Sequence, residues 1–288
     1  MSMADEAREG SPTLLRRRLA GELRRLRDAA GLNIDEVAAH LCCSTSKVSR
    51  VETARVTAMQ RDVKDMLDLY RVSEEQREAL LALARRARQK EDWWLAYKDV
   101  PDVRTYIALE RAANSIQVCQ SMTIPGLLQV ERYAQLIIAR ALPDLRADQI
   151  ERLVALRMER RALLERSDPP SLGVILDEGA LHRLKGEREL MRAQLRHLTD
   201  VAAMPSVTFQ VLPFSAGPHG GLAESFRILS FPDVADSDLV HLENLTGNVY
   251  VTNPEQVARY WSLFECLRPL ACTPRDSLEL LVELQREA

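Results

Sequence analysis

Between Leu32 and Arg55 the chain reads LNIDEVAAHLCCSTSKVSRVETAR, two short helical patterns with only a few residues between them. Two helices so closely joined must share one small core, which is the spacing of a helix-turn-helix. Asn33 is placed as an N-cap, and Glu36 three residues on completes a capping-box pattern with Asn in place of Ser or Thr. Val37, Ala38 and Leu41 make one apolar face, and Ala38 and Ala39 are small enough for a second helix to cross nearby. That helix starts after its N-cap, Ser44; Val48 and Val51 point inward, leaving Thr45, Ser46, Lys47, Ser49 and Arg50 outward. A face with hydroxyls and two cations, and no acid before Glu52, complements a negatively charged, hydrogen-bonding partner such as double-stranded DNA.

Residues 14 to 70 resemble the Cro/phage-repressor (XRE) class of helix-turn-helix, matched at Arg27, Gly31, Leu32, Asn33, Val37, Ala38, Val48, Ser49, Arg50 and Glu52. The resemblance implies base reading by Thr45, Ser46 and Arg50, phosphate contacts by Ser44 and Lys47, and a structural pair of Arg27 with Glu52. Two positions depart from it: the turn glycine is Cys42, and the glycine after the second helix is Ala54. A Cβ at positive φ is unfavourable by roughly 1 kcal/mol or more, so the turn is either strained or differently shaped.

Charge is divided unevenly. The whole chain of 288 residues carries −3, but residues 1–90 hold 18 Lys+Arg against 14 Asp+Glu, and residues 91–288 hold 21 against 28. The excess of positive charge belongs to the end with the helix-turn-helix, the sign that phosphate neutralisation requires. Five cysteines spread over this length do not read as a disulfide framework, and no apolar run approaches a membrane span. A soluble, cytoplasmic protein is expected. Cys42 and Cys43 read as small buried hydrophobes in preference to a redox pair.

The expected organisation is a flexible tail over 1–12, the helix-turn-helix domain over 13–72, a connecting helix and junction over 73–100, and a regulatory or dimerisation domain over 101–288. In the first domain Leu15, Leu19, Leu23 and Leu26 recur at helical spacing. Trp93-Trp94 marks the junction, as a plug between domains or an interface anchor. Beyond it, helices are expected over 104–120, 128–140, 146–166 and 187–204, with Pro125-Gly126 forcing a turn. Strands are expected over 171–176, 206–212, 226–231, 239–245 and 248–251, with a hairpin turn at Thr246-Gly247-Asn248. Two helices, 254–270 and 274–286, close the chain. The fold class is α+β: an all-α domain of four to five helices, then an α+β domain with a mainly antiparallel sheet.

The second half also carries an ordered string of phrases: Trp93-Trp94, Tyr106-Ile107-Ala108-Leu109-Glu110, Ile124-Pro125-Gly126-Leu127-Leu128-Gln129, Arg132-Tyr133-Ala134, Leu176-Asp177-Glu178, Met191-Arg192-Ala193-Gln194-Leu195 and Gln210-Val211-Leu212-Pro213-Phe214. It resembles the uncharacterised domain that follows a Cro-type helix-turn-helix in many actinobacterial, WhiJ-like regulators. That likeness implies a transcriptional regulator, often paired with a small partner protein in an antitoxin-like arrangement.

Enzymatic chemistry is weakly signalled. Asp177, Glu178 and His182 are close in sequence, but no third ligand arrives at a telling spacing for a metal. His219-Gly220-Gly221 lacks the Gly-Lys-Ser/Thr of a phosphate cradle and reads as a turn, with a flap over a pocket as the alternative. No cofactor is implied. The leading expectation is a homodimeric, DNA-binding transcriptional regulator; the alternative is an antitoxin-like interaction module that sequesters a small partner protein.

Overall fold

The computed structural model describes residues 11–89, 101–183, 187–233, 236–244 and 247–287. The Trp93-Trp94 pair and the 1–10 part of the expected tail lie outside them. The chain divides into two compact units, Met1–Ala112 with Asp233–Asp236, and Ala113–Pro232 with Ser237–Ala288.

The first unit is all helix: α1 Pro12–Ala29, α2 Ile34–His40, α3 Thr45–Glu52, α4 Gln60–Tyr70, α5 Glu74–Arg86 and α6 Pro101–Ala112. The leucine stripe of α1 is buried as its spacing requires, with Leu23 wholly enclosed. Leu19, Leu23 and Leu26 meet Val37 and Ala38 of α2, Val48 and Val51 of α3, Val63, Met66 and Leu67 of α4, and Leu80 and Ala84 of α5 in one core. Ser73 caps α5 by accepting from the Gln76 N–H. Within this unit Arg18 reaches both Asp233 and Asp236, at 2.7 Å each.

The second unit is built on a six-stranded sheet in the order β3-β2-β1-β4-β5-β6. Its strands are β1 Ser115–Gln120, β2 Ser171–Asp177, β3 Val207–Leu212, β4 Phe226–Ser230, β5 Leu239–Asn244 and β6 Gly247–Val251. β1, β2 and β3 run parallel, whereas the β1-β4, β4-β5 and β5-β6 pairings are antiparallel. Parallel neighbours need crossovers. The first contains α7 Glu131–Ala141 and α8 Ala147–Arg161, the second α9 Glu178–His182 and α10 Arg188–Ala202, and α11 Pro254–Leu267 and α12 Pro274–Glu287 complete the unit.

Where the sequence suggested one helix over 104–120, the structure ends α6 at Ala112 and runs residues 115–120 as the sheet's inner strand β1. Flanked on both sides, β1 alternates half-buried Ser115 and Gln117 with buried Ile116 and Val118 but then buries both Cys119 and Gln120, so the alternation that identifies a half-buried strand spans only four residues. The hairpin turn also differs: Asn244 pairs with Gly247 and Glu243 with Asn248, so Gly247 and Asn248 belong to β6 itself.

Two buried glutamines explain why the Ile124–Gln129 phrase has its shape. Gln129 donates to the Ile124 carbonyl at 2.7 Å, and Gln194 of α10 donates to the Leu128 carbonyl while accepting from the Val130 N–H. Each satisfies backbone groups that a turn would otherwise leave unpaired in the interior. At the β3 edge, the Cys272 N–H donates to the Val211 carbonyl and the Val211 N–H donates to Ser277 Oγ.

Candidate nucleic-acid interface

The geometry of the first unit's site starts at its helix caps. Asn33 Oδ1 accepts from the Glu36 N–H at 2.9 Å and Glu36 Oε2 accepts from the Asn33 N–H at 2.8 Å, a closed capping box at the start of α2. Ser44 caps α3 by accepting from the Lys47 N–H at 3.2 Å. The four helices α1 to α4 all end in the same way, with a left-handed residue at Gly31, Cys42, Ala54 and Arg71, at φ of 70°, 50°, 54° and 55°. In each case the next residue's N–H reaches back five residues: Leu32 to Arg27, Cys43 to Ala38, Arg55 to Arg50 and Val72 to Leu67. These are Schellman closures, and three of the four use a residue with a Cβ where glycine is favoured. The turn between α2 and α3 therefore keeps its usual backbone and carries strain. Cys42 itself is exposed and Cys43 half-buried against the core, so the expectation that both are buried fails for Cys42: a left-handed turn residue points its side chain away from the helix it terminates.

Arg27 and Glu52 meet across the core. Arg27 Nε lies 2.7 Å from Glu52 Oε1 and Nη2 lies 2.9 Å from Oε2, while Nη1 donates to the Leu32 carbonyl at 2.9 Å. Glu52 accordingly raises the Arg27 pKa above its ordinary value, against the opposing effect of burial. The pair fixes the end of α3 to the end of α1, and Leu32 with it, which sets the angle at which α3 is presented.

Thr45, Ser46 and Arg50 are exposed on α3, and Arg50 Nε donates back to the Ser46 carbonyl at 3.2 Å. Ser44 is also exposed. Lys47 is placed otherwise: its Nζ lies 2.6 Å from Asp62 Oδ2 in the first turn of α4, and both side chains are largely covered. Asp62 has no signal in the sequence, since it stands fifteen residues away on another helix. Its location at a helix N-terminus, where a carboxylate is favoured, explains the acid but not the pairing.

In the second unit, the Asp177, Glu178 and His182 group is spent on structure. Asp177 caps α9 through the Gly179 N–H, Glu178 accepts from the Phe214 N–H at 2.8 Å, and His182 stacks on Phe214. The turn at His219 is pinned: its side chain is 5 % exposed, with Nε2 3.5 Å from Asp177 Oδ2, and a Cβ on Gly220 would meet Leu263 at 2.6 Å. Cys119 lies beneath, its thiol pushed up to about 12 by burial and by Asp177. Such a thiol stays protonated at neutral pH and is a poor nucleophile. Among the described residues no three His, Cys, Asp or Glu side chains are arranged to hold a metal ion, and no helix is long and apolar enough to cross a membrane.

Comparison with known families finds two regions, the second of which begins ten residues before the second compact unit. A family described as "Helix-turn-helix domain" matches residues 18–80, and one described as "Domain of unknown function (DUF5753)" matches residues 103–283, more than half the chain. No curated protein and no solved structure matches it.

Proposed function

Because the chain belongs to the DUF5753 family and places a helix-turn-helix domain, the mark of a DNA-binding transcriptional regulator, ahead of that region, we propose that it is a dimeric regulator that reads a specific operator. One α3 enters the major groove from each subunit, about one DNA turn apart. Thr45, Ser46 and Arg50 contact base edges, Ser44 and Lys47 hold phosphates, and the second unit supplies dimerisation and the control of binding. The carrying observation is the exposed Thr45, Ser46 and Arg50 on a helix whose end is locked by the Arg27–Glu52 pair. These are short polar side chains and one guanidinium on a rigid support, as direct readout requires.

The test is capture of genomic fragments, the chain's own upstream region included, at two salt concentrations. A shared motif of two related half-sites, bound less tightly as salt rises, is the expected result. Arg50→Ala should then cost about 1–3 kcal/mol and relax the preference at one base pair. Weak binding without sequence preference would favour the rival role, a module that sequesters a small partner protein. Cys42 and Ala54 in place of glycines give that rival some weight, and the left-handed backbone at both supports DNA docking over it.

A further inference from the structure

One face of the sheet in the second unit changes character along its strands. Over Cys119, Ile175, Leu212, Phe226, Ile228 and Val240 it is apolar, and α11 covers it with Val257, Phe264 and Leu267. Towards the starts of β2 and β3 the same face turns polar, with Ser171, Gln117, Thr208 and Gln210. There it opens into a cleft of about 170 Å³ whose wall is Trp261, Phe264, Glu265 and Arg268.

The floor of this cleft is shaped. Gln117, Gly173 and Thr208 stand in one row across three neighbouring strands. A Cβ at Gly173 would fall 1.8 Å from Gln117 Oε1, so the Gln117 amide lies across the position that a side chain would fill. Two strand spacings, roughly 10 Å, separate Gln117 from Thr208, and the Gln117 amide covers the glycine between them. Both glutamines are anchored through their nitrogens: Gln117 Nε2 donates to Ser115 Oγ at 3.0 Å, and Gln210 Nε2 donates to the Cys272 carbonyl at 2.9 Å. That leaves the Gln117 amide oxygen on the floor over Gly173 as an acceptor, with the hydroxyls of Ser171 and Thr208, both on exposed residues, beside it and Gln210 in the lining. The backbone of the floor is used in the ladders. Acceptors therefore outnumber donors.

These constraints select a ligand. An acceptor-rich floor rejects phosphates and carboxylates, which bring acceptors only. Arg268 and Glu265 pair with one another at 3.2 Å on the wall through Arg268 Nη1, so neither charge is offered alone to a cation or an anion. The volume lies below the ~300–1,000 Å³ of sites for drug-sized molecules, and the polar lining gives an apolar inducer little to bury. We propose that this cleft binds a neutral, hydroxyl-rich ring compound of monosaccharide size, its hydroxyls donating to Gln117 and Gln210 and its flat face lying along Trp261. The proposal stands apart from DNA recognition, because its readout is ligand binding by the full chain with no DNA present.

The probes are glucose, galactose, ribose and N-acetylglucosamine, with adenine and uracil as ring compounds of balanced donors and acceptors. Each is presented at ~10 mM, since a ligand of so few atoms is expected to bind in the millimolar range, and saturation transfer is read by NMR. At least one sugar should show transfer, with a Kd weakened roughly tenfold in Thr208→Val, the cost of one lost hydrogen bond. Gly173→Ala, whose Cβ takes the place of the Gln117 amide oxygen and displaces only the end of a flexible side chain, should abolish transfer while thermal unfolding stays cooperative. If no sugar shows transfer, if only the bases do, or if Gly173→Ala and Thr208→Val bind as the parent does, the assignment is overturned. Were Gly173→Ala to lose its cooperative unfolding, the exposed Thr208→Val would decide alone.

Discussion

Lys47 and Asp62 hold each other at 2.6 Å, the ammonium on α3 and the carboxylate at the start of α4. On the proposed mode of DNA binding, Asp62 is an internal anion at the place of a phosphate. Binding DNA through Lys47 requires that contact to be exchanged or shared, and Asp62 itself repels the backbone. Asp62→Asn should therefore tighten binding severalfold across all sequences and steepen the salt dependence by up to about 0.9 in log–log slope, the increment for one further phosphate neutralised. Lys47→Ala, which removes a phosphate contact that Asp62 partly offsets, should weaken binding on both duplexes and lower the slope by less than that increment. Filter binding over a salt series on the preferred and on a scrambled duplex checks both; an unchanged Asp62→Asn slope would show that Lys47 takes no part.

Stability should depend strongly on Arg27 and Glu52. Their side chains are 9 % and 3 % exposed; removing Arg27 leaves Glu52 buried without its counterpart, and removing Glu52 leaves Arg27 only the exposed Asp28, at 2.7 Å. Glu52→Ala or Arg27→Ala should each cost about 3–5 kcal/mol, whereas replacing both by apolar residues of similar volume should cost far less. Urea unfolding of the two single variants and of Arg27→Met with Glu52→Leu makes the comparison. Additive losses would contradict the coupling that the bidentate geometry implies.

Strain at the helix ends gives a prediction of opposite sign. Cys42 and Ala54 occupy left-handed backbone at φ of 50° and 54°. Glycine adopts that conformation freely, so Cys42→Gly and Ala54→Gly should each stabilise the first unit by about 1 kcal/mol, less what glycine adds to the entropy of the unfolded chain. Differential scanning calorimetry should find the transition raised by a few degrees. A fall on either substitution would mean that the side chain has contacts that outweigh its backbone cost.

The helix-turn-helix was legible because its determinants are local. A capping box within four residues, a valine pair three apart and an N-cap serine each act on their own turn, so the sequence alone places α2 and α3. The strands β2 to β6 were legible where one face is polar, as with Thr208 beside Val207 and Phe209. β1 was not: its Ser115-Ile116-Gln117-Val118 alternation is only four residues long, and Ala113-Asn114 carries neither Gly nor Pro to separate it from α6. The Lys47–Asp62 pair and the cleft were out of reach for a further reason. Asp62 meets Lys47 only through the crossing of two helices, and Gln117, Gly173 and Thr208 come from segments far apart in sequence, aligned by strand register.

The pH dependence of the second unit should show a histidine held neutral. His197 on α10 has its pKa lowered from the ordinary value, chiefly by burial and then by the nearby Arg161, and its Nε2 has no hydrogen-bond partner among the described residues. In the unfolded chain the same imidazole titrates near ~6.5. As pH falls through that value the unfolded state takes up the proton before the folded state does, so folding loses stability, and the loss stops growing once pH passes below the folded pKa. His197→Gln, which cannot titrate, should lose less stability than the parent between pH 7.5 and pH 5. Urea midpoints at the two pH values, compared with those of a His40→Gln control at an exposed site on α2, isolate the effect. Parallel losses in parent and His197→Gln would place the acid sensitivity at another group.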